Sequence, residues 1–510
     1  MRRSGRISRA LLMCATLLGV SSILDGAEPK IPEGLAKWRE GLKLAWSGKP
    51  NAARALLLQI HRHSPDDVCG YYFPAMIDFD WELAGYDSAT DPEHAQVLLD
   101  RAIEVGRKRI EAQPADAAAT YCLGAAYGTR SAYRFHHGDR LSGAFDAKKT
   151  RSLMLGLLEH APSCEDCRFW TGAYDYMSAT LPSIVKFLKS LLFFPGGDRE
   201  RGLRVLDEAA QRGDIERYHA FTILHVAYRE IEHDTKNDLS VLERWHAAFP
   251  EAPDVAVMLA QVLASSGRDG RSRSVVLFRD VLDRVKAGKI EDEEEASAAV
   301  GLASLFMKDA EPETAIELLR PVMAKRHGRK QDELLLSRFV AQALNQAGLH
   351  SEAVAMLRDL KKRYPGDSGL MKVEFAATQL GEEESKIYKA SLPARRLLRD
   401  EKLEELEAAL VKLKQQTDDH PQVEALIGWI NFDARRDGLA QQSFQKVIDV
   451  RDARPTYALA WSYIGLGWLR DLAGDRGGAK DLYRLAIKAA GRDDSTRHSA
   501  EYYLKNPYKR

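Results

Sequence analysis

The sharpest chemical candidate in this 510-residue chain is Cys164-Glu165-Asp166-Cys167, because two cysteines two residues apart can cycle between dithiol and disulfide. A redox enzyme would set such a pair at a helix start beside a βαβ unit, and no strand pattern flanks it. Haem attachment asks for histidine directly after the second cysteine, where Arg168 stands. A structural zinc site asks for a second ligand pair at suitable spacing, and Cys69 and Cys122 are isolated in the sequence. A local disulfide that fastens a turn, or plain thiols, is the expectation for Cys164 and Cys167. Metal binding and redox exchange stay open as alternatives.

The histidines offer less. His61 and His63 flank Arg62, and His136 and His137 are adjacent. Metal binding needs ligands that converge on one point, such as i and i+4 on a helix with a carboxylate nearby. Only His136-His137-Gly138-Asp139 approaches this, and a solvated loop is expected there. Gly196-Gly197-Asp198 lacks the Lys-Ser or Lys-Thr that completes a phosphate loop, and Gly267 to Gly270 fits a turn. Neither a Gly-x-Ser-x-Gly elbow nor a His-Glu-x-x-His pair is present. No catalytic residues, no metal and no cofactor are therefore expected.

Hydrophobic content of 45% belongs to a folded chain. Apolar residues recur at spacings of three and four, while the strict alternation of a half-buried strand is scarce. The expectation is an all-α protein, too long for one ordinary core and so either several domains or one extended array. The formal charge is zero, from 74 basic and 74 acidic residues. Without residues 1–27, which hold four arginines and one aspartate, it becomes slightly negative. Such a balance gives no electrostatic reason to bind nucleic acid or an anionic membrane.

Arg2, Arg3, Arg6 and Arg9 precede an apolar run from Ala10 to Leu24, shorter than the roughly 20 residues that span a bilayer. Residues 1–27 are expected to be a signal peptide, or else an N-terminal anchor, in which case only this segment touches membrane. Cleavage after Ala27 would leave Asp25 where a small residue is preferred, and Met13 stands where a lipid-attachment signal before Cys14 wants a small one.

The clearest repeated stretch is Tyr463 to Ala486. Leu466-Gly467 lies in one helical segment, Gly474-Asp475 breaks it, and Ala479, Tyr483 and Ala486 mark a second. Gly41, Gly48, Ala53 and Pro65 repeat the pattern, as do Leu123-Gly124-Ala125-Ala126-Tyr127 and Val340-Ala341 with Gly348, Ala353 and Pro365. This resembles the tetratricopeptide repeat, of an exported bacterial type. Ala315 and Ala353, and Ser443 and Ala479, fall near its period of about 34 residues. The resemblance implies a superhelical α-solenoid of roughly nine to eleven helix-turn-helix hairpins with mostly local contacts. Residues 28–292 would form an N-terminal array with a loop insertion near 129–145, and residues 293–510 a C-terminal array with degenerate repeats near 368–421.

In such repeats the first helix of each hairpin lines a concave groove. Carried over by position, the groove candidates are Trp38, Leu42, Trp46, Tyr121, Phe169, Arg338, Gln342, Phe432 and Trp468. Some members clamp a partner's terminal carboxylate with Asn. Here that position holds Leu42, Ala125, Gln342, Phe432 and Trp468, so an apolar, aromatic groove is expected instead. The expected function is a non-catalytic scaffold that binds a protein or peptide in the cell envelope or periplasm. The alternatives are a thiol- or metal-dependent enzyme or redox carrier built on Cys164 and Cys167, and a solute binder with a cavity at the apolar segment Ile184 to Leu192.

Overall fold

The three-and-four spacing is realised as helix. The computed structural model describes residues 35–83, 94–180, 196–326, 329–367, 370, 381–417, 421–450, 456–490 and 494–510, and every regular element among them is helical. The chain is an all-α solenoid of helix-turn-helix hairpins. It forms two compact units, one up to Leu259 and one from Ala260. The expected leader 1–27 and the apolar segment Ile184 to Leu192 lie outside the described residues. Among the described residues no helix is long and apolar enough to cross a membrane.

The first unit contains α1 (Arg39–Trp46), α2 (Pro50–His63), α3 (Val68–Leu83), α4 (His94–Ala112), α5 (Ala117–His136), α6 (Arg140–His160) and α7 (Glu165–Thr180). It continues with α8 (Arg199–Arg212), α9 (Arg217–Val226) and α10 (Thr235–Ala248), and α11 (Pro253–Leu263) crosses the unit boundary. Aspartates start many of these helices: Asp116, Asp139, Asp198 and Asp234 each accept a hydrogen bond from a first-turn amide. Such caps satisfy amides that have no partner inside the helix.

The expected loop insertion is not a loop. Helix α5 runs on to His136, Gly138 turns the chain at φ 85°, and Asp139 caps α6 at once. His136 to Asp139 are exposed at the turn, while polar residues on either side of it pair between the two helices. Arg130 grips Asp146 with two bonds of 2.8 Å, Arg134 adds a third at 2.6 Å, and Ser131 donates to the Gly143 carbonyl.

Contacts in this unit are also less local than an open array requires. One hydrophobic core runs from Leu35 and Trp38 through Tyr72, Leu99, Tyr121 and Phe73 to Cys167 and Ile215. Arg39 bonds Asp214 across 175 residues, and Trp46 of α1 stacks on Tyr218 of α9 at 5.2 Å. The first hairpin and α9 therefore close on each other.

The second unit contains α12 (Gly267–Lys286), α13 (Glu295–Lys308), α14 (Pro312–Lys325), α15 (Lys330–Gln346) and α16 (His350–Arg363). It continues with α17 (Glu382–Arg399), α18 (Leu403–Gln416), α19 (Pro421–Asp433), α20 (Asp437–Asp449), α21 (Thr456–Leu472), α22 (Arg476–Ala490) and α23 (Asp494–Lys505). The division expected at 292/293 falls one helix too late, because α12 packs on α13 within this unit. Helices α17 and α18 give the degenerate region 368–421 a regular hairpin where it is described.

The α21–α22 hairpin shows why the repeat residues matter. A Cβ on Gly467 would collide with the Tyr483 ring, and Gly474 turns the chain at φ 81°. Ala479, Tyr483 and Ala486 are fully buried, as are Ala53, Ala315 and Ala353 at the equivalent place in other hairpins. The acidic run before α13 has a partner: Arg326, almost wholly buried, reaches Asp292, Glu295 and Asp332 at 3.5, 3.3 and 3.1 Å.

Candidate partner cavity and a buried polar cluster

The candidate groove residues divide into three sets. Trp38, Leu42, Tyr121, Phe169 and Phe432 are core residues, all at most 3% exposed. That corrects the groove expectation for these five, since they pack into the hydrophobic cores of their units. Trp46 is half-buried under Tyr218 and Phe249. Arg338 and Gln342 are exposed on α15. Trp468 lines a cavity of the second unit.

That cavity has a volume of about 970 Å³ and lies wholly within the second unit. Its walls come from the start of α12, the end of α13 and the first helices of later hairpins, α15, α17, α19 and α21. Three indoles dominate it. Trp429 packs edge-on against Trp461 at 5.7 Å and against Trp468 at 5.1 Å. Trp461 and Trp468 are seven residues apart on α21, hence on one face, and Trp429 sits three before Phe432. The signal for the two missed tryptophans was that helical spacing around the named ones.

The polar wall is basic. Arg268, Arg271, Lys308, Arg395 and Arg399 line it, against Asp309 and Asp433. Much of this charge serves the fold. Arg395, Arg396 and Arg399 donate to the carbonyls of Met307, Ala310 and Asp309 at 3.1, 2.9 and 3.3 Å. These carbonyls lie at the C-terminal end of α13, where unpaired acceptors and the helix dipole favour cations. Arg271 pairs with Asp309 at 2.6 Å. Arg395 differs: it makes no direct salt bridge among the described residues, and desolvation, only partly offset by Tyr388 and by Asp433 on the same wall, pulls its pKa below the ordinary guanidinium value.

A non-helical segment of the chain packs on one of these indoles. After α23, Tyr508 stacks on Trp468 at 4.2 Å with the rings 9° from parallel, and its amide donates to Asp471. Arg510 lies over the Phe432 ring at 4.4 Å and pairs with Asp437 at 2.8 Å. Extended chain with aromatic and charged side chains thus fits this surface.

The first unit holds a different feature, centred on Glu216 just before α9. One carboxylate oxygen accepts from Tyr121 at 2.9 Å and from Tyr72 and Trp170 at 3.2 Å; the other faces His219 at 3.0 Å. His219 also meets Asp80 at 3.0 Å. Burial alone would keep the imidazole neutral, but the charges of Asp80 and Glu216 and their hydrogen bonds push His219 up to about 10. Burial, followed by the charge of Glu216, raises both tyrosines well above their usual value. An imidazolium donating from both nitrogens has no lone pair with which to act as a base, and this carboxylate is heavily engaged. The cluster suits holding helices together better than proton transfer.

The cysteine pair serves this cluster. Cys164 and Cys167 form a disulfide and are both buried at the start of α7. Between them Asp166 accepts from the amides of Asp214 and Glu216 at 3.0 and 2.9 Å, so the bridged turn anchors the segment carrying Glu216. Burial pushes the Asp166 carboxyl up to about 7. Cys69 and Cys122, isolated in sequence, are joined as well: their Cα atoms are 5.2 Å apart across 53 residues. No local spacing could have paired them.

No family model matches the chain, and no curated protein matches it. Among solved structures it is similar to human IFIT1, as a dimer with m7Gppp-AAAA, at 14% identity and a TM-score of 0.28, covering 91% of this chain and 96% of that one. A monomeric IFIT1 mutant with Gppp-AAAA matches at 15% identity and a TM-score of 0.29, covering 86% and 89%. TM-scores this low transfer neither ligand nor partner to this chain.

Proposed function

We propose that this chain is a non-catalytic scaffold that holds a protein partner in the cell envelope or periplasm, gripping an extended segment of it in the tryptophan-lined cavity of the second unit. The cavity carries the reading. Three indoles line it, one of them already stacked on Tyr508, and Arg395 offers a desolvated guanidinium that shares its wall with Asp433, the carboxylate that acts on it. Aromatic and arginine anchors in desolvated pockets dominate protein interfaces. The matching segment has an aromatic side chain with an acidic residue close by. The packing of Tyr508 on Trp468 supports that mode of contact. Export is supported by the basic and apolar start of the sequence and by two disulfides, which persist in oxidising compartments.

The test is a titration of the purified chain with short peptides containing aromatic and acidic residues, followed by indole fluorescence. Saturable quenching, weakened about tenfold or more by Arg395→Met and lost when the peptide's Glu becomes Gln, is expected from a desolvated charge pair. Equal binding by Arg395→Met, or no saturation with any peptide, removes the cavity from the reading. Fractionation of cells producing the full chain checks the compartment.

A further inference from the structure

In the first unit, the end of α3 meets the α5–α6 turn. There Glu82, His136 and His137 present one carboxylate oxygen and two imidazole nitrogens, all within 4.8 Å of one another. In sequence the histidines have no carboxylate at a ligand spacing; Asp139, the nearest, is spent on capping α6. The fold supplies Glu82 from 54 residues before His136, with His137 Nε2 only 2.6 Å from its Oε1.

We propose that Glu82, His136 and His137 form a binding site for one divalent transition-metal ion of the zinc type. Two imidazoles and a carboxylate are the donor set that zinc takes when three protein ligands leave a position open. Hard cations such as magnesium and calcium prefer oxygen-only shells. The metal replaces the hydrogen bond between His137 and Glu82, with ligand bonds near about 2.0–2.2 Å. The setting favours a cation: both histidines stand at the C-terminal end of α5, the negative end of its dipole. The His137 ring is held 4.3 Å from the buried Tyr133 ring, which limits its freedom before metal arrives. His136 and His137 are exposed and Glu82 is half-buried, so the ion can enter from solvent. Bound metal would staple α3 to the α5–α6 turn.

The experiment uses the untagged full-length chain, stripped with a chelator and titrated with zinc chloride against a chromophoric competitor, with thermal unfolding in parallel. One ion per chain and a raised melting temperature are expected. The single variants Glu82→Gln, His136→Asn and His137→Asn each weaken binding by about tenfold or more, and each loses the thermal shift. Cobalt substitution should give visible absorption bands that these variants lack. Helical circular dichroism of the metal-free variants, unchanged from the parent, shows that the loss is of ligands and not of folding. Absence of zinc binding, or binding that all three variants retain, overturns the proposal and leaves a plain His137–Glu82 hydrogen bond. Displacement by millimolar magnesium would overturn the assignment of metal class.

Discussion

Two residues of the first unit contribute to its response to pH between neutrality and about 10. The folded-state pKa of His219 rises from 6.5 to about 10, so the folded chain keeps a proton that the unfolded chain releases. The stability this confers is complete below pH 6.5 and is lost as pH rises through about 10. Asp166, raised from 3.8 to about 7, acts with the same sign in a lower window. Urea midpoints measured from pH 6 to 10 should therefore fall for the parent chain, and His219→Gln should flatten the upper part of that fall. An unchanged slope would mean that His219 is neutral in the folded protein. Thiol counting belongs at this scale too. Of the five cysteines only Cys14 lies outside the two disulfides, so the denatured, unreduced full chain should react with one equivalent of thiol reagent and the reduced chain with five. The spacing of Cys164 and Cys167 singled the pair out and left a disulfide, plain thiols, metal and redox exchange open. The role of Asp166 between them was not legible, because its partners at Asp214 and Glu216 lie some fifty residues away.

Among helices, the hairpin is the unit that local chemistry specifies. Gly467 is required because Tyr483 fills the space a side chain would occupy, and Gly474 because the turn needs a positive φ. Gly467→Val forces the helices apart and should destabilise the second unit by about 1–3 kcal/mol, as overpacking does. Gly438→Ala, at a glycine with open space around it, is the control. Chemical denaturation followed by helical circular dichroism compares the two. Local rules placed the exposed turn at 136–139 and overstated its length, because most of 129–145 is helix. Arg130, Arg134 and Asp146 show the alternative, in which charge is spent between two packed helices. Sequence marks a residue as polar, and only its neighbour decides whether water or an opposite charge satisfies it.

Across the molecule, the solenoid divides into two compact units with different cores. The first closes its early hairpin onto α9 through Trp46, Tyr218, Arg39 and Asp214. Trp38 consequently lies in the core, against Phe73 at 5.4 Å. Trp38→Ala should cost about 3–5 kcal/mol of stability, the range for removing a buried aromatic, whereas Trp468→Ala, at a half-buried ring in contact with Trp429 and Tyr508, should cost less stability and weaken peptide binding. Unfolding curves and fluorescence titration on both variants separate these roles, and a folded, stable Trp38→Ala would return that residue to the groove. What the sequence determined by itself was everything carried by short spacing: helix, the hairpin, and its glycines and alanines. What only the tertiary structure decided was everything that needs residues distant in the chain. It joined Cys69 to Cys122, gathered Tyr72, Tyr121 and His219 around Glu216, brought Glu82 to two histidines, and sent five expected groove residues inward. Helical periodicity tells which face of a helix is apolar, but burial and open groove both ask for an apolar face, and how tightly neighbouring hairpins close decides between them.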